Sequence, residues 1–264
     1  MEILGCQLDI AWEDKAANLA AAGSILAADV PAGALVVLPE MFSTGFSMNV
    51  AGIAEGPDGP GHAFLAETAR RYQAYVIGGV VTRAADGKGR NEAVCYDPAG
   101  SEIARYAKLH PFGFAGETAH YAAGDEVVTF RVGGDPGQIV AAPLICYDLR
   151  FPEAFRLAVR RGAELFIVIA NWPTARAEHW QTLLRARAIE NQAVVVGVNR
   201  CGADPNNEYP GRSWIVGPRG EVLAEAGDTP CVLRASIDAG DLRSCRREFP
   251  ALSDIRDDLL PRGD

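Results

Sequence analysis

Three polar residues come at the ends of predicted strands, and their chemical types suit covalent catalysis. Glu40 comes after the run 34–38, Lys108 ends the second arm of a predicted hairpin, and Cys146 comes after the run 139–145. Open α/β sheets bind ligands at the carboxyl ends of their strands, so the three side chains are candidates for one site. A cysteine supplies a nucleophile, a carboxylate a general base, and a lysine a fixed charge for a developing oxyanion.

Spacing alone leaves a plain alternative open for each residue. Cys146 could be a structural thiol, Glu40 a loop carboxylate and Lys108 a surface lysine. The position of Cys146 favours reactivity, because it lies between a strand end and a helix predicted for about 152–161. Unpaired backbone N–H groups and the positive end of a helix dipole stabilise a thiolate, so we expect the thiolate to be favoured over the thiol.

The elements that must position these residues alternate between strands and helices. Helices are predicted at about 14–28, 62–73, 152–161 and 177–191. Strands are predicted at 2–8, 34–38, 75–81, 91–96, 102–106, 127–132, 138–144, 165–170, 193–199, 213–216, 221–225 and 231–237.

Two similar hairpins, each preceded by strand–helix alternation, indicate an internally repeated α/β unit. Two sheets packed face to face, with helices outside, would bury both the apolar strands and the amphipathic helices. No linker divides the 264 residues, so we predict a single domain over 1–264. A C-terminal tail from about Asp238 is expected to reach a partner subunit.

Composition excludes several classes of partner. The net charge of −9 offers no basic field for nucleic acid or an anionic membrane. Six cysteines without a Cys-x-x-Cys pair predict free thiols in a reducing cytoplasm. The chain shows neither a signal-peptide pattern nor an apolar stretch of membrane-spanning length. Four histidines without paired ligand spacing argue against a metal site.

The amino-acid sequences of three short motifs indicate a protein family more specifically than the spacing of their reactive residues does. Residues 38–42 (LPEMF), 108–112 (KLHPF) and 144–153 (LICYDLRFPE) resemble, in order, the catalytic signatures of the nitrilase (carbon–nitrogen hydrolase) superfamily. Residues 171–173 (NWP) and 185–192 (RARAIENQ) are similar to landmarks of its omega-amidase-like branch. The resemblance implies an α/β fold, a four-layer αββα sandwich with two mixed sheets, and no cofactor.

The resemblance also assigns roles within the site. It implies Glu40 as general base and acid, Lys108 as oxyanion stabiliser and Cys146 as nucleophile. A second family glutamate, near the lysine or the substrate, maps to Glu117. The backbone N–H of Tyr147 is expected to share the oxyanion with Lys108.

Similarity to this branch suggests short monoamides of 2-oxo dicarboxylic acids, such as 2-oxoglutaramate or 2-oxosuccinamate. Because the planar fork of arginine suits a carboxylate, we expect Arg176, and next Arg150, to bind the substrate. A structural ion pair is the alternative for both arginines. Trp172 either lines the pocket or packs in a core or interface.

Rival functions remain at this level. Within the superfamily they are a nitrilase, an N-carbamoyl amino acid amidohydrolase and an amidase for another small amide. A cysteine protease with a histidine partner is disfavoured by the Glu40 and Lys108 motifs. A non-enzymatic alternative is a catalytically silent scaffold that keeps the fold for protein contacts. The resemblance further implies at least a homodimer, formed through the helices after Cys146 and Trp172 and the C-terminal tail.

Overall fold

The structure is a computed structural model that describes residues 1–27, 29–83, 86–135 and 137–256. Its helices are α1 (Lys15–Leu26), α2 (Val50–Ile53), α3 (Pro60–Tyr72), α4 (Glu117–His120), α5 (Pro152–Arg160), α6 (Ala177–Asn191) and α7 (Ala239–Glu248). Its strands are β1 (Glu2–Gln7), β2 (Leu35–Val37), β3 (Tyr75–Arg83), β4 (Gly89–Tyr96), β5 (Glu102–Ala107), β6 (Phe130–Val132), β7 (Ile139–Ile145), β8 (Leu165–Ala170), β9 (Val194–Asn199), β10 (Cys201–Ala203), β11 (Glu208–Pro210), β12 (Trp214–Val216), β13 (Val222–Glu225) and β14 (Cys231–Ser236).

Two six-stranded sheets have the same internal plan. The first has the order β14-β1-β2-β3-β4-β5 and the second β6-β7-β8-β9-β12-β13. In each, three parallel strands are flanked by an antiparallel strand on one edge and an antiparallel hairpin on the other. The predicted internal repeat and the two mixed sheets are therefore confirmed.

The sheets face each other, and helices cover their outer surfaces. Strand β1 lies against β9 and β4 against β7, so the inward side chains of both sheets form one core. Helices α1 and α3 bury Leu26 and Leu65 on the first sheet. Helices α5 and α6 bury Phe155 and Leu184 on the second sheet. These layers are the αββα sandwich, which brings the carboxyl ends of β2 and β7 close together.

Local rules account for several element ends. Asp14 caps α1 by accepting the Ala17 N–H at 3.0 Å. Pro152 opens α5, where its missing N–H costs no hydrogen bond. The predicted end of α1 at Ala28 lies outside the described residues. Two short helices that the sequence patterns do not predict, α2 and α4, lie in the connections before α3 and after β5.

The segment from Asp238 onward packs on its own chain. Asp238 caps α7, and Arg243 of this helix binds Glu164 at 2.8 Å. Arg246 donates to the carbonyl oxygens of Gln192 and Ala163. Residues 257–264 of the predicted tail lie outside the described residues, and its contact with a second subunit stays a prediction.

Candidate active site

The three sequence-predicted catalytic residues meet at the strand ends between the two sheets. Glu40 follows β2, Lys108 follows β5, and Cys146 follows β7. Glu40 and Lys108 are buried, whereas Cys146 is partly exposed at a cavity. Burial rules out the solvated-loop and surface-lysine alternatives for Glu40 and Lys108.

Glu40 is held by four donors. Its Oε1 accepts from Lys108 Nζ at 2.9 Å and from Asn91 Nδ2 at 2.7 Å. Its Oε2 accepts from the Asn171 backbone N–H at 2.7 Å and from Asn171 Nδ2 at 3.3 Å. These hydrogen bonds fix the orientation of the carboxylate, which suits a base.

Lys108 joins two buried carboxylates. Its Nζ lies 2.9 Å from Glu40 Oε1 and 2.9 Å from Glu117 Oε2. Burial by itself lowers the pKa of Lys108, but the charges of Glu117 and Glu40 outweigh it and raise that pKa well above its usual value. The ammonium is therefore a permanent positive charge at the site. The Phe46 ring, 5.1 Å from Nζ, covers another side of it.

The backbone at Cys146 turns sharply at the end of β7. Its φ is 46°, in the left-handed region that costs a residue with a side chain about 1–2 kcal/mol. The turn leads into the 3-10 segment Cys146–Arg150. Cys146 Sγ lies 3.8 Å from the carbonyl oxygen of Asn171, the residue that also binds Glu40. Nucleophile and base are thus linked through one asparagine.

The expected preference for the thiolate is wrong for the resting site. Burial, and next the charge of Glu40, raise the pKa of Cys146 well above its usual value, and the opposing effect of Lys108 is smaller. The short helical turn does not outweigh desolvation. The thiol proton therefore needs an acceptor during attack, and Glu40 is the carboxylate whose charge affects the pKa of Cys146 most.

Tyr147 lies where an oxyanion donor is expected. Its N–H is in the first turn of the segment Cys146–Arg150, where backbone donors have no partner within the helix. Its ring packs against Phe112 and Phe151, with centroids 4.8 and 5.2 Å away. These contacts hold the backbone beside the nucleophile.

A cavity of about 580 Å³ opens from Cys146 to the surface. Several aromatic side chains line it: Trp12, Phe46, Phe112, Phe114, Tyr147, Trp172 and Tyr209. Trp172 fulfils both of its expected roles, because it is 2% exposed in the core and still contributes to the cavity wall. Its Nε1 donates to the Arg176 carbonyl oxygen at 2.8 Å.

Both predicted arginines line this cavity. The guanidinium of Arg176 lies 5.3 Å from the Phe112 ring centroid, and that of Arg150 lies 4.9 Å from the Trp172 centroid. Arg150 also contacts His179 Nδ1 at 3.1 Å. Within the described part of the chain, neither arginine forms an ion pair with a carboxylate.

Charge in the cavity opposes the charge of the whole chain. Lys108, Arg150 and Arg176 line it, and Glu13 is the acidic residue among the described lining residues. The Glu13 carboxylate is already bound by Ser47 Oγ and, at 3.0 Å, by Asn49 Nδ2. Lys108 is balanced by Glu40 and Glu117, so Arg150 and Arg176 supply the positive charge that a protein of net charge −9 offers to an anionic small molecule here.

Asn91 and the side chain of Asn171 are functional contacts that sequence reasoning missed. Asn91 Nδ2 bridges Glu40 and Glu117, at 2.7 and 3.1 Å. The sequence carries no distinct signal for it, because Asn91 stands between two charged residues, Arg90 and Glu92, at the polar start of β4. Asn171 belongs to the NWP motif, but nothing in the sequence links it to Glu40.

Residues 1–27, 29–83, 86–135 and 137–256 contain no cluster of three His, Cys, Asp or Glu side chains able to hold a metal ion. None of the helices in that part of the chain has the length and apolar character needed to cross a membrane. All six cysteines are free.

Comparison with known proteins identifies the family. The profile of the Carbon-nitrogen hydrolase family matches residues 5–247. An omega-amidase of Yersinia enterocolitica is 41% identical over 96% of both chains. A 2-oxoglutaramate amidase of Bacillus subtilis is 34% identical over 96% of both. The chain belongs to the carbon–nitrogen hydrolase (nitrilase) superfamily and to its omega-amidase-like branch.

Solved structures agree with this placement. A CN-hydrolase superfamily protein of Xanthomonas campestris, with an arsenic adduct in its active site, matches at a TM-score of 0.89 and 37% identity over 99% of both chains. A mutant amidase of Nesterenkonia, with an acetamide group added covalently at its active site cysteine, matches at 0.83 and 26% identity over 97% of both. The protein is accordingly an enzyme, a cysteine-dependent amidase of linear amides.

Proposed function

We propose that the protein is an omega-amidase that hydrolyses the terminal amide of a short, carboxylate-bearing 2-oxo acid, with 2-oxoglutaramate and 2-oxosuccinamate as the favoured substrates. One observation carries the proposal. The cavity that opens at Cys146 is lined by Lys108, which binds Glu40, and by two arginines. Relatives named 2-oxoglutaramate amidase and omega-amidase support the same substrate class.

The first half-reaction forms a thioester. Glu40 takes the thiol proton of Cys146 as Sγ attacks the amide carbonyl carbon. The oxyanion is stabilised by Lys108 Nζ and the Tyr147 N–H. Glu40 then gives the proton to the amide nitrogen, the carbon–nitrogen bond breaks, and ammonia leaves.

The second half-reaction returns the enzyme to its starting state. Glu40 takes a proton from a water molecule as the water oxygen attacks the thioester carbon. The same oxyanion donors act again, the carbon–sulfur bond breaks, and the proton passes to Cys146. Glu117 keeps Lys108 in place throughout, because its carboxylate binds Nζ at 2.9 Å.

The far end of the substrate is assigned to the arginines. We assign its carboxylate to Arg176, with Arg150 as a second contact. Each guanidinium is held over an aromatic ring, so little side-chain entropy is lost when a carboxylate binds.

A substrate panel tests the proposal. Ammonia release would be measured with 2-oxoglutaramate, 2-oxosuccinamate, glutamine, a neutral amide (butanamide), an N-carbamoyl amino acid and a nitrile. The proposal expects the highest kcat/KM with one of the 2-oxo acid amides. A preference for the nitrile or the N-carbamoyl compound would assign the enzyme to a rival branch, and inactivity on all of them would favour a scaffold.

We also propose that two copies associate through α5 and α6. Leu157 of α5 and Ile189 of α6 are 50% and 51% exposed, and Phe249 beyond α7 is 71% exposed. Light scattering after size exclusion would give twice the chain mass. Leu157→Asp with Ile189→Asp should then give a monomer, and a monomeric wild type would contradict the proposal.

The cytoplasm is the proposed compartment. Free thiols persist where glutathione and thioredoxin keep them reduced. Fractionation of cells that express the protein tests this, with recovery from an oxidising compartment as the opposing result.

A further inference from the structure

Asp148 is a fully buried carboxylate that the mechanism does not use. It lies two residues after Cys146 and does not line the cavity, so it does not touch substrate. Its Oδ2 accepts from the Ile145 N–H at 3.0 Å and from Tyr106 Oη at 2.7 Å. Its Oδ1 lies 2.9 Å from the His110 backbone N and 2.8 Å from His110 Nδ1.

The partners of Asp148 belong to the two segments that carry the nucleophile and the lysine. Ile145 immediately precedes Cys146 on the end of β7. Tyr106 and His110 stand two residues before and two residues after Lys108. One carboxylate therefore fastens the Cys146 turn to the Lys108 segment.

We propose that Asp148 is a positioning residue that fixes the Cys146 thiol and the Tyr147 N–H relative to Lys108 Nζ. The proposal rests on the proposed function, in which these groups act on one carbonyl. Asp148 engages the N–H of Ile145 just where Cys146 turns to a φ of 46°. The same bond therefore aims both the thiol and the oxyanion donor.

The chemistry of the position requires a carboxylate. An ionised aspartate is acceptor-only and satisfies donors on both oxygens, whereas an asparagine presents an NH₂ group on one side. In either orientation, Asp148→Asn would set that group against a backbone N–H, that of Ile145 or that of His110. The His110 ring, stacked on Phe151 with centroids 3.7 Å apart, cannot easily move away.

Asp148→Asn is the first test. Reactive sites are counted by the fraction of Cys146 that iodoacetamide labels in the folded protein, so that kcat is expressed per intact site. We expect kcat per site to fall at least tenfold, with KM within about threefold of wild type. Asp97→Asn, which removes a carboxylate from the exposed β4–β5 turn, should keep the wild-type kcat.

Two milder variants keep the proposal testable if Asp148→Asn does not fold. Tyr106→Phe removes one donor, and His110→Phe removes the ring donor while keeping an aromatic ring against Phe151. Each should lower kcat per site severalfold without a matching change in KM. Wild-type kcat per site in Asp148→Asn, or in both milder variants, would overturn the proposal whatever their melting temperatures.

A crystal structure separates this inference from the proposed function. The distance from Cys146 Sγ to Lys108 Nζ should be longer in Asp148→Asn than in wild type. If Asp148→Asn does not fold, the same distance is measured in Tyr106→Phe and His110→Phe. An unchanged distance would refute the positioning role. If the wild-type enzyme hydrolysed none of the amides, the proposed omega-amidase function would be refuted. The Sγ to Nζ distance would still test the positioning role of Asp148.

Discussion

Gly79 lies against Glu40 so closely that a β-carbon at position 79 would stand 2.6 Å from the Cα of Glu40 and 2.4 Å from Met41 N. Two backbone hydrogen bonds fix this approach. Gly79 N donates to Pro39 O at 3.0 Å, and Phe42 N donates to Gly79 O at 3.2 Å. Strand β3 therefore sets the position of the base.

Gly79→Ala should displace Glu40 and lower kcat/KM about 100-fold, because a shift of roughly 1 Å in a catalytic group can cost that factor. Overpacking should also destabilise the fold by about 1–3 kcal/mol. Gly56→Ala is the control, since a β-carbon there meets no atom within 4 Å. Steady-state kinetics and urea unfolding measure both effects. Wild-type kcat/KM in Gly79→Ala would contradict this account of the base.

Lys108→Met should abolish turnover and also destabilise the protein. It leaves Glu40 and Glu117 buried without a cation, and breaking a buried pair in this way costs about 3–5 kcal/mol. Urea unfolding at pH 7 measures the loss. Lys88 is an exposed lysine, so the free energy of unfolding of Lys88→Met should stay within about 0.5 kcal/mol of wild type. Equal stability of the two variants would show that Lys108 is not the counter-charge of the glutamates.

Arg176→Ala should raise KM for 2-oxoglutaramate about 10- to 100-fold. A hydrogen bond to a charged group contributes about 1.5–3 kcal/mol, and about 1.4 kcal/mol is tenfold in affinity. Arg150→Ala should show a smaller increase. KM for butanamide, which has no carboxylate, should hardly change, and Arg219→Ala at an exposed pair is the matched control. Equal effects on both amides would exclude carboxylate binding by these arginines.

Alkylation of Cys146 should follow its raised pKa. A raised pKa means that the thiol is protonated at neutral pH and that thiolate increases as pH rises. Because the thiolate is the nucleophile, the iodoacetamide rate should climb about tenfold per pH unit from pH 6 to 8 without levelling off. Mass spectrometry of the Cys146 peptide measures it. A plateau beginning below pH 7 would indicate a resting thiolate instead.

Strands and helices with strong patterns were predictable from sequence. The predicted strand 165–170 and helix 177–191 match Leu165–Ala170 and Ala177–Asn191. A continuous apolar run of six residues and a longer segment with buried residues three or four positions apart differ in length and period. The short hairpin of β10 and β11 was missed, since three-residue strands leave no periodicity.

Some features of the active site could likewise be predicted from the sequence, and others could not. Glu40, Lys108 and Cys146 were found through motif wording, and the predicted burial of the strands before Glu40 and Cys146 agrees with the structure. The pKa of Cys146 could not be predicted, because it depends on burial beside Glu40, which is 106 positions away in the chain. Asn91 was missed for a similar reason: its two carboxylate partners come from other segments.

The most direct test of the proposed chemistry is the mass of the enzyme during turnover. The enzyme would be mixed with 2-oxoglutaramate, quenched in acid within one turnover, and analysed intact and after digestion. We predict an added mass equal to the substrate less ammonia, located on Cys146 and absent from Cys146→Ala, which should release no ammonia. Ammonia release by Cys146→Ala near the wild-type rate would contradict the account.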